Sequence, residues 1–137
     1  MARLNQLHEF HYTDDTAMGG YASGPPAVFS LVKQEEISYT EAAQSLFDGS
    51  GSVGNVAAMR IAPVGIFFHR APDLYEQACA SAGVPHAHMV GMDGAAVLAC
   101  AIAMAVQLEP QKEVRAEEMP PRLIEVARTD EIKGKIR

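Results

Sequence analysis

The sequence predicts an all-α domain, and two observations carry that prediction. Runs of Val, Ile, Thr and aromatic residues alternating with polar ones are missing, while alanine recurs through almost every apolar stretch. The apolar stretches are separated by Gly, Pro and capping residues at the spacing of short helices. At 137 residues there is chain for one domain. An apolar content of 48% excludes wholesale disorder. Eleven Lys and Arg against seventeen Asp and Glu leave a net charge of −6, so no direct DNA binding is expected. A small phosphate-bearing ligand is still compatible, because backbone N–H groups can hold it without formal charge.

The elements follow in order. Residues 1–12 are polar and without periodicity, and Gly19-Gly20 breaks any turn begun before Met18. Gly24-Pro25-Pro26 opens a helix over Ala27–Gln34 with Val28, Leu31 and Val32 on one face, since proline is tolerated in a first turn. Ser38-Tyr39-Thr40-Glu41 fits a capping box. The helix it starts, 39–47, should turn Ala42, Ala43, Leu46 and Phe47 inward and end at Asp48-Gly49. Residues 57–68 are apolar, and Pro63 should kink or divide them. Pro72 begins a helix over 72–82 that Gly83 stops, and Pro85-His86-Ala87-His88 is a connector. The hydrophobic helix runs from Asp93, read as its cap, to Gln107, and its alanines permit close approach of neighbours. From Glu109 onward the chain is charged, with one amphipathic piece at Pro121–Arg128. Thr129-Asp130-Glu131 reads as a helix end, and no pattern is legible after it.

The longest apolar run, Ala95 to Val106, is shorter than the ~18–20 residues of a spanning helix, so it reads as a core helix with no membrane partner. The first ten residues lack an apolar signal core, and Cys79 and Cys100 sit among apolar neighbours. Both features lead to the expectation of an intracellular chain with two buried, reduced thiols.

Three segments carry candidate chemistry. Thr13-Asp14-Asp15-Thr16 gathers hydroxyl and carboxylate oxygens, suited either to a hard cation such as Mg²⁺ or to capping a helix N-terminus. Gly49-Ser50-Gly51-Ser52-Val53-Gly54-Asn55 reads as a cradle of N–H groups for a diphosphate or as a flexible connector. His86 and His88 are two residues apart, which allows two metal ligands or two polar contacts. Arg60, in an apolar helix, calls for an acidic partner.

Taken in order, Tyr12 to Met18, Gly51-Ser52-Val53-Gly54-Asn55 leading into Ala58-Met59-Arg60, and Pro85 to His88 leading into Asp93-Gly94-Ala95 resemble an ADP-ribosylglycohydrolase of the dinitrogenase-reductase-activating type. The similarity is strongest to the eukaryotic branch that removes serine-linked ADP-ribose and degrades poly(ADP-ribose). It runs over residues 10–108, in a single partial domain of residues 1–137 whose charged tail is 109–137. The resemblance implies a partial orthogonal helical bundle and Mg²⁺-dependent hydrolysis of the glycosidic bond of ADP-ribose on proteins, in a response to DNA damage. It implies partners that are ADP-ribosylated proteins or poly(ADP-ribose), in the nucleus, cytoplasm or mitochondrion. It assigns Thr13, Asp14 and Asp15 to metal binding, with Asp14 and Asp15 also catalytic. It assigns Ser50, Gly51, Ser52, Val53, Gly54, Asn55, Val56 and His86 to the substrate.

The chain also departs from the family pattern. The downstream Asp-x-Asp-Thr run that completes a two-Mg²⁺ site is not in this sequence, nor is a catalytic glutamate ahead of Thr13. Val53 stands where relatives often carry an aromatic residue. These departures lead to the expectation of little or no turnover, with a non-catalytic ADP-ribose-binding or helical interaction fragment as the alternative. The apolar helix, short of covering helices, should leave exposed apolar surface through which the chain associates with itself.

Overall fold

The computed structural model describes residues 24–51, 54–84, 86–109, 111 and 115–137. Among them every regular element is helical, as the sequence predicts. Helices α1 (Gly24–Glu35) and α2 (Tyr39–Ser45) form a hairpin. Then come α3 (Val56–Met59), α4 (Ala62–Phe67), α5 (Leu74–Gly83), α6 (Met89–Val106), a 3-10 turn (Ala116–Glu118), α7 (Met119–Val126) and α8 (Asp130–Ile136). Helix α6 is the axis, and α3, α4, α5, α7 and α8 all pack on it.

The capping box forms as expected. The Glu41 N–H donates to Ser38 Oγ at 3.2 Å, and the Ser38 N–H donates to Glu41 Oε2 at 2.9 Å. Helix α2 stops at Ser45, because Leu46 turns extended and Phe47, Asp48 and Gly49 then adopt left-handed φ values of 55°, 58° and 83°. Phe47 is thereby swung outward and is 56% exposed, contrary to the core position expected for it. Val28, Ala42 and Ala43 make a small core under the hairpin, joined by Leu31, Val32, Leu46 and Ala87.

Pro63 divides its apolar segment as expected. It occupies the first turn of α4, where it has no N–H to satisfy, and Arg60-Ile61 separate that helix from α3. Ile61 is the largest side chain wholly buried among the described residues. The main core around it is otherwise built largely of alanine: Ala57, Ala78, Ala82, Ala95, Ala96, Ala99 and Ala103. Small side chains let helices approach closely, and Gly65 shows the limit. A Cβ there would lie 2.7 Å from the Ala99 carbonyl oxygen of α6. Cys79 and Cys100 are free thiols within this packing.

The long helix begins four residues before the expected start. His88 is its N-cap, with Nδ1 accepting from the Val90 N–H at 3.2 Å. Starting at Met89 gives α6 a length and composition sufficient to cross a membrane. The five helices packed on it and its buried carboxylate are features of a core helix.

That carboxylate is Asp93, which does not cap α6. It lies in the second turn, 2% exposed, and reaches across to the C-terminal segment. It accepts from the Tyr75 hydroxyl at 2.7 Å, the Arg128 N–H at 3.2 Å, and the Thr129 N–H and hydroxyl at 2.7 and 2.5 Å. Burial opposes ionisation of Asp93, but these donors outweigh it and hold the carboxyl below its usual range. Thr129 in turn caps α8, so Thr129-Asp130-Glu131 is the start of a helix. Above the clasp the Arg128 guanidinium stacks 3.8 Å from the Tyr75 ring centroid and pairs with Glu76 at 2.6 Å.

Candidate ligand site at the head of the long helix

The glycine-rich loop begins as a defined turn. The Gly51 N–H donates to the Leu46 carbonyl at 2.9 Å, while the Ser50 N–H and hydroxyl both donate to the Phe47 carbonyl at 3.2 and 2.7 Å. Ser50 and Gly51 therefore have their hydrogens engaged within the turn. Backbone donors for a phosphate must come from further along the loop. Of those positions, Ser52 and Val53 lie outside the described residues. Gly54 and Asn55 are exposed, and Val56 opens α3 half-buried. The Asn55 side chain makes no cap hydrogen bond to α3.

Gly51 has φ of 72°, a conformation that disfavours any residue with a Cβ. A Cβ there would also lie 2.7 Å from His88 N and 3.0 Å from the Ala87 carbonyl carbon. The loop thus rests directly on the backbone of the His86–His88 connector. Two segments singled out in the sequence, 30 residues and more apart, meet at the head of α6.

His86 is 3% exposed. Its N–H continues the last turn of α5 by donating to the Ala82 carbonyl at 3.0 Å. Its Nδ1 is buried with no hydrogen-bond partner among the described residues. A buried ring nitrogen in that state is costly for the free protein, and a ligand atom would relieve it. Burial, seconded by the nearby Arg60, pushes the imidazole below its ordinary pKa, so the ring is held neutral. Among the described residues Arg60 does not find the acidic partner expected of it. Its Nη2 donates to the Ser81 carbonyl at 3.2 Å, one of the carbonyls that end α5 without an intrahelical partner.

Sequence reasoning missed two parts of this corner: the capping role of His88 and the seat of Arg60 on α5. A histidine directly before an apolar helix was the available sign of the first. Among the described residues no three His, Cys, Asp or Glu side chains converge, so His86 and His88 gain no third ligand for a metal. Thr13, Asp14 and Asp15 lie outside the described residues.

The sequence model of the ADP-ribosylglycohydrolase family matches residues 4–136, spanning both segments that meet at this corner. The chain belongs to the ADP-ribosylglycohydrolase family. Within it the chain is similar to ADP-ribosylhydrolase ARH3. It is 33% identical to the Xenopus tropicalis protein over 108 residues, which is 78% of this chain and 31% of that protein. It is 35% identical to the Homo sapiens protein over 95 residues, or 69% of this chain and 26% of that protein. The Gallus gallus protein is 33% identical over 101 residues, covering 73% of this chain and 28% of its own length. This ADP-ribosylglycohydrolase chain therefore spans about a third or less of the curated relatives it matches. Its helices agree with the all-α fold expected of the family.

Proposed function

We propose that this chain is an ADP-ribose-recognising unit of an ADP-ribosylhydrolase, acting on ADP-ribosylated protein or poly(ADP-ribose). One observation carries the reading: Gly51 packed on the Ala87–His88 backbone at the head of α6, next in the chain to His86, whose buried imidazole has an unpartnered Nδ1. A neutral, desolvated imidazole suits a hydroxyl or amide ligand atom better than a free ammonium would, and the family match names ADP-ribose chemistry. The loop from Gly54 to Val56 would lie along the same ligand.

The hydrolytic part of the proposal rests on Thr13, Asp14 and Asp15. Their hydroxyl and carboxylate oxygens are a donor set that fits Mg²⁺, and they would hold it. When bound, the ion would orient ribose hydroxyls and lower the pKa of a water. A carboxylate of Asp14 or Asp15 would take a proton from the attacking water and pass one to the oxygen that leaves ribose C1″, so that the water oxygen replaces it on C1″. An intracellular compartment where ADP-ribosylated proteins form, whether nucleus, cytoplasm or mitochondrion, completes the proposal.

Calorimetry against ADP-ribose tests the binding reading. Saturable heat with millimolar or tighter affinity is expected, and a flat titration at millimolar ligand overturns it. Serine-ADP-ribosylated peptide with millimolar Mg²⁺ tests the hydrolytic part: Mg²⁺-dependent release of ADP-ribose is expected, and no release by a chain that binds ADP-ribose removes it. The outward Met59, Ile66 and Phe67 side chains, the last 80% exposed, support self-association as a companion proposal. Sedimentation that stays monomeric up to high micromolar concentration would remove it.

A further inference from the structure

The last turn of α5 carries two hydrogen bonds on adjacent carbonyls. Arg60 Nη2 donates to Ser81 at 3.2 Å, and the His86 N–H donates to Ala82 at 3.0 Å. The first ties the junction between α3 and α4 to that helix end, and the second fixes where His86 leaves it. Two residues later the chain meets Gly51, and His88 caps α6. We propose that Arg60 is a positioning residue for His86, clamping the end of α5 so that the histidine's unpaired Nδ1 is presented to the ligand. The proposal rests on the ADP-ribose reading of the corner and deepens it.

Three features point this way. Arg60 is the C-cap residue of α3, and its guanidinium spans to a different helix without pairing to a carboxylate among the described residues. The carbonyl anchor leaves the guanidinium its full positive charge, and that charge acts on the neighbouring imidazole. The field disfavours a second proton on His86, in the same direction as its burial. The ring therefore keeps one N–H and one lone pair for hydrogen bonding, where an imidazolium would offer only donors. Arg60 thus acts through His86 and need not touch the ligand.

The test uses the full chain with R60K and R60M, read by ring-nitrogen NMR of His86 and by calorimetry with ADP-ribose. In R60M, His86 should titrate higher than in the parent, and affinity should fall about fivefold, the scale of one neutral hydrogen bond. R60K keeps the charge and a donor, so it should recover most of both readouts. A merely structural arginine would lower the melting temperature in R60M without moving the His86 titration. That result, or equal behaviour of R60K and R60M, overturns the proposal. Should R60M fail to fold, R60Q retains an amide donor without charge, and an unchanged His86 titration in R60Q overturns it equally. If the wild-type chain takes up no ADP-ribose, the ligand reading fails, while the NMR titration still decides the role of Arg60.

Discussion

Replacing Gly51 with alanine tests the corner most directly, and Gly49 supplies the control. Both glycines have left-handed φ, 83° at Gly49 and 72° at Gly51. An L-residue there costs roughly 1–2 kcal/mol from the clash of Cβ with its own backbone. At Gly49 a Cβ meets nothing within 4 Å, so Gly49→Ala should cost only that conformational amount. At Gly51 the same Cβ lies 2.7 Å from His88 N and 3.0 Å from the Ala87 carbonyl carbon, both main-chain atoms. Neither can rotate away as a side chain does, so the loop and connector must separate. Overpacking of that kind adds about 1–3 kcal/mol. Gly51→Ala should therefore destabilise by about 2–5 kcal/mol, against about 1–2 for Gly49→Ala. Urea denaturation monitored by circular dichroism measures both. ADP-ribose affinity should fall with Gly51→Ala and hold with Gly49→Ala under conditions where both are folded. Equal stabilities for the two variants would refute the contact, and unchanged affinity in Gly51→Ala would refute its place in the site.

Other perturbations reach further into the fold. Gly65→Ala drives a Cβ onto the Ala99 carbonyl at 2.7 Å, and the overpacking cost of about 1–3 kcal/mol exceeds the gain in helix propensity of at most ~1 kcal/mol. A variant as stable as the parent in urea would contradict the close approach of α4 and α6. Asp93→Ala strips the acceptor from Tyr75, Arg128 N–H and Thr129 and should cost roughly 2–4 kcal/mol, the scale of losing hydrogen bonds to a charged group, with α8 the first element to exchange its amide hydrogens. Because the folded Asp93 carboxyl is held below its usual value, its contribution is complete above the unfolded pKa of ~4 and fades as pH falls through the folded value. The parent should lose stability in that acid range, and a limb as steep in Asp93→Ala would show that another group is responsible. The D14N/D15N double variant should lose the Mg²⁺-dependent stabilisation of the parent, about 1.4 kcal/mol at ten times the dissociation constant. An equal rise in melting temperature for both proteins would remove those carboxylates from metal binding.

The sequence made some of this architecture legible and concealed the rest for physical reasons. Capping and proline chemistry are local, so Ser38-Glu41 and Pro63 announced a helix start and a helix division that the chain then makes. Asp93 before Gly94 has the pattern of a frequent cap, whereas its partners lie 18, 35 and 36 residues away and leave no local trace. Reading the cap at Asp93 also hid the first turn of α6, whose Met89-Val90-Gly91-Met92 looks like connector beside the alanine run. Periodicity turns Phe47 inward, but the extended Leu46 and three left-handed residues from Phe47 to Gly49 end the period first. Helix α8 was legible and passed over: Thr129 as cap, acids in its first turn and lysines in its last are the usual signals, masked by Gly134 and the shortness of the segment. Of the site, the meeting of the glycine loop with the histidine connector follows from no spacing rule. It came from family resemblance, and the contact at Gly51 gives that resemblance a physical form.

Three consecutive residues in the connector answer to three different parts of the molecule. His86 is tied to the end of α5, Ala87 packs into the hairpin core with Val28, Ala42 and Ala43, and His88 caps α6. The hairpin and the main bundle have separate cores, and among the described residues the connector and the Gly51 turn join the two. Alanine-rich packing buries little area per residue, and at ~25 cal/mol/Å² such a junction gains only a modest stabilisation from its own contacts. A ligand held between the Gly51 loop and His86 would bind the docked arrangement and not the separated one. It would stabilise that arrangement by RT ln(1 + [L]/Kd). ADP-ribose at a hundred times its dissociation constant should then protect the α1–α2 hairpin amides as strongly as those at the head of α6, by about 2.7 kcal/mol in native-state hydrogen exchange. Protection confined to α6, with the hairpin exchanging as before, would mean that the ligand does not sit at the junction.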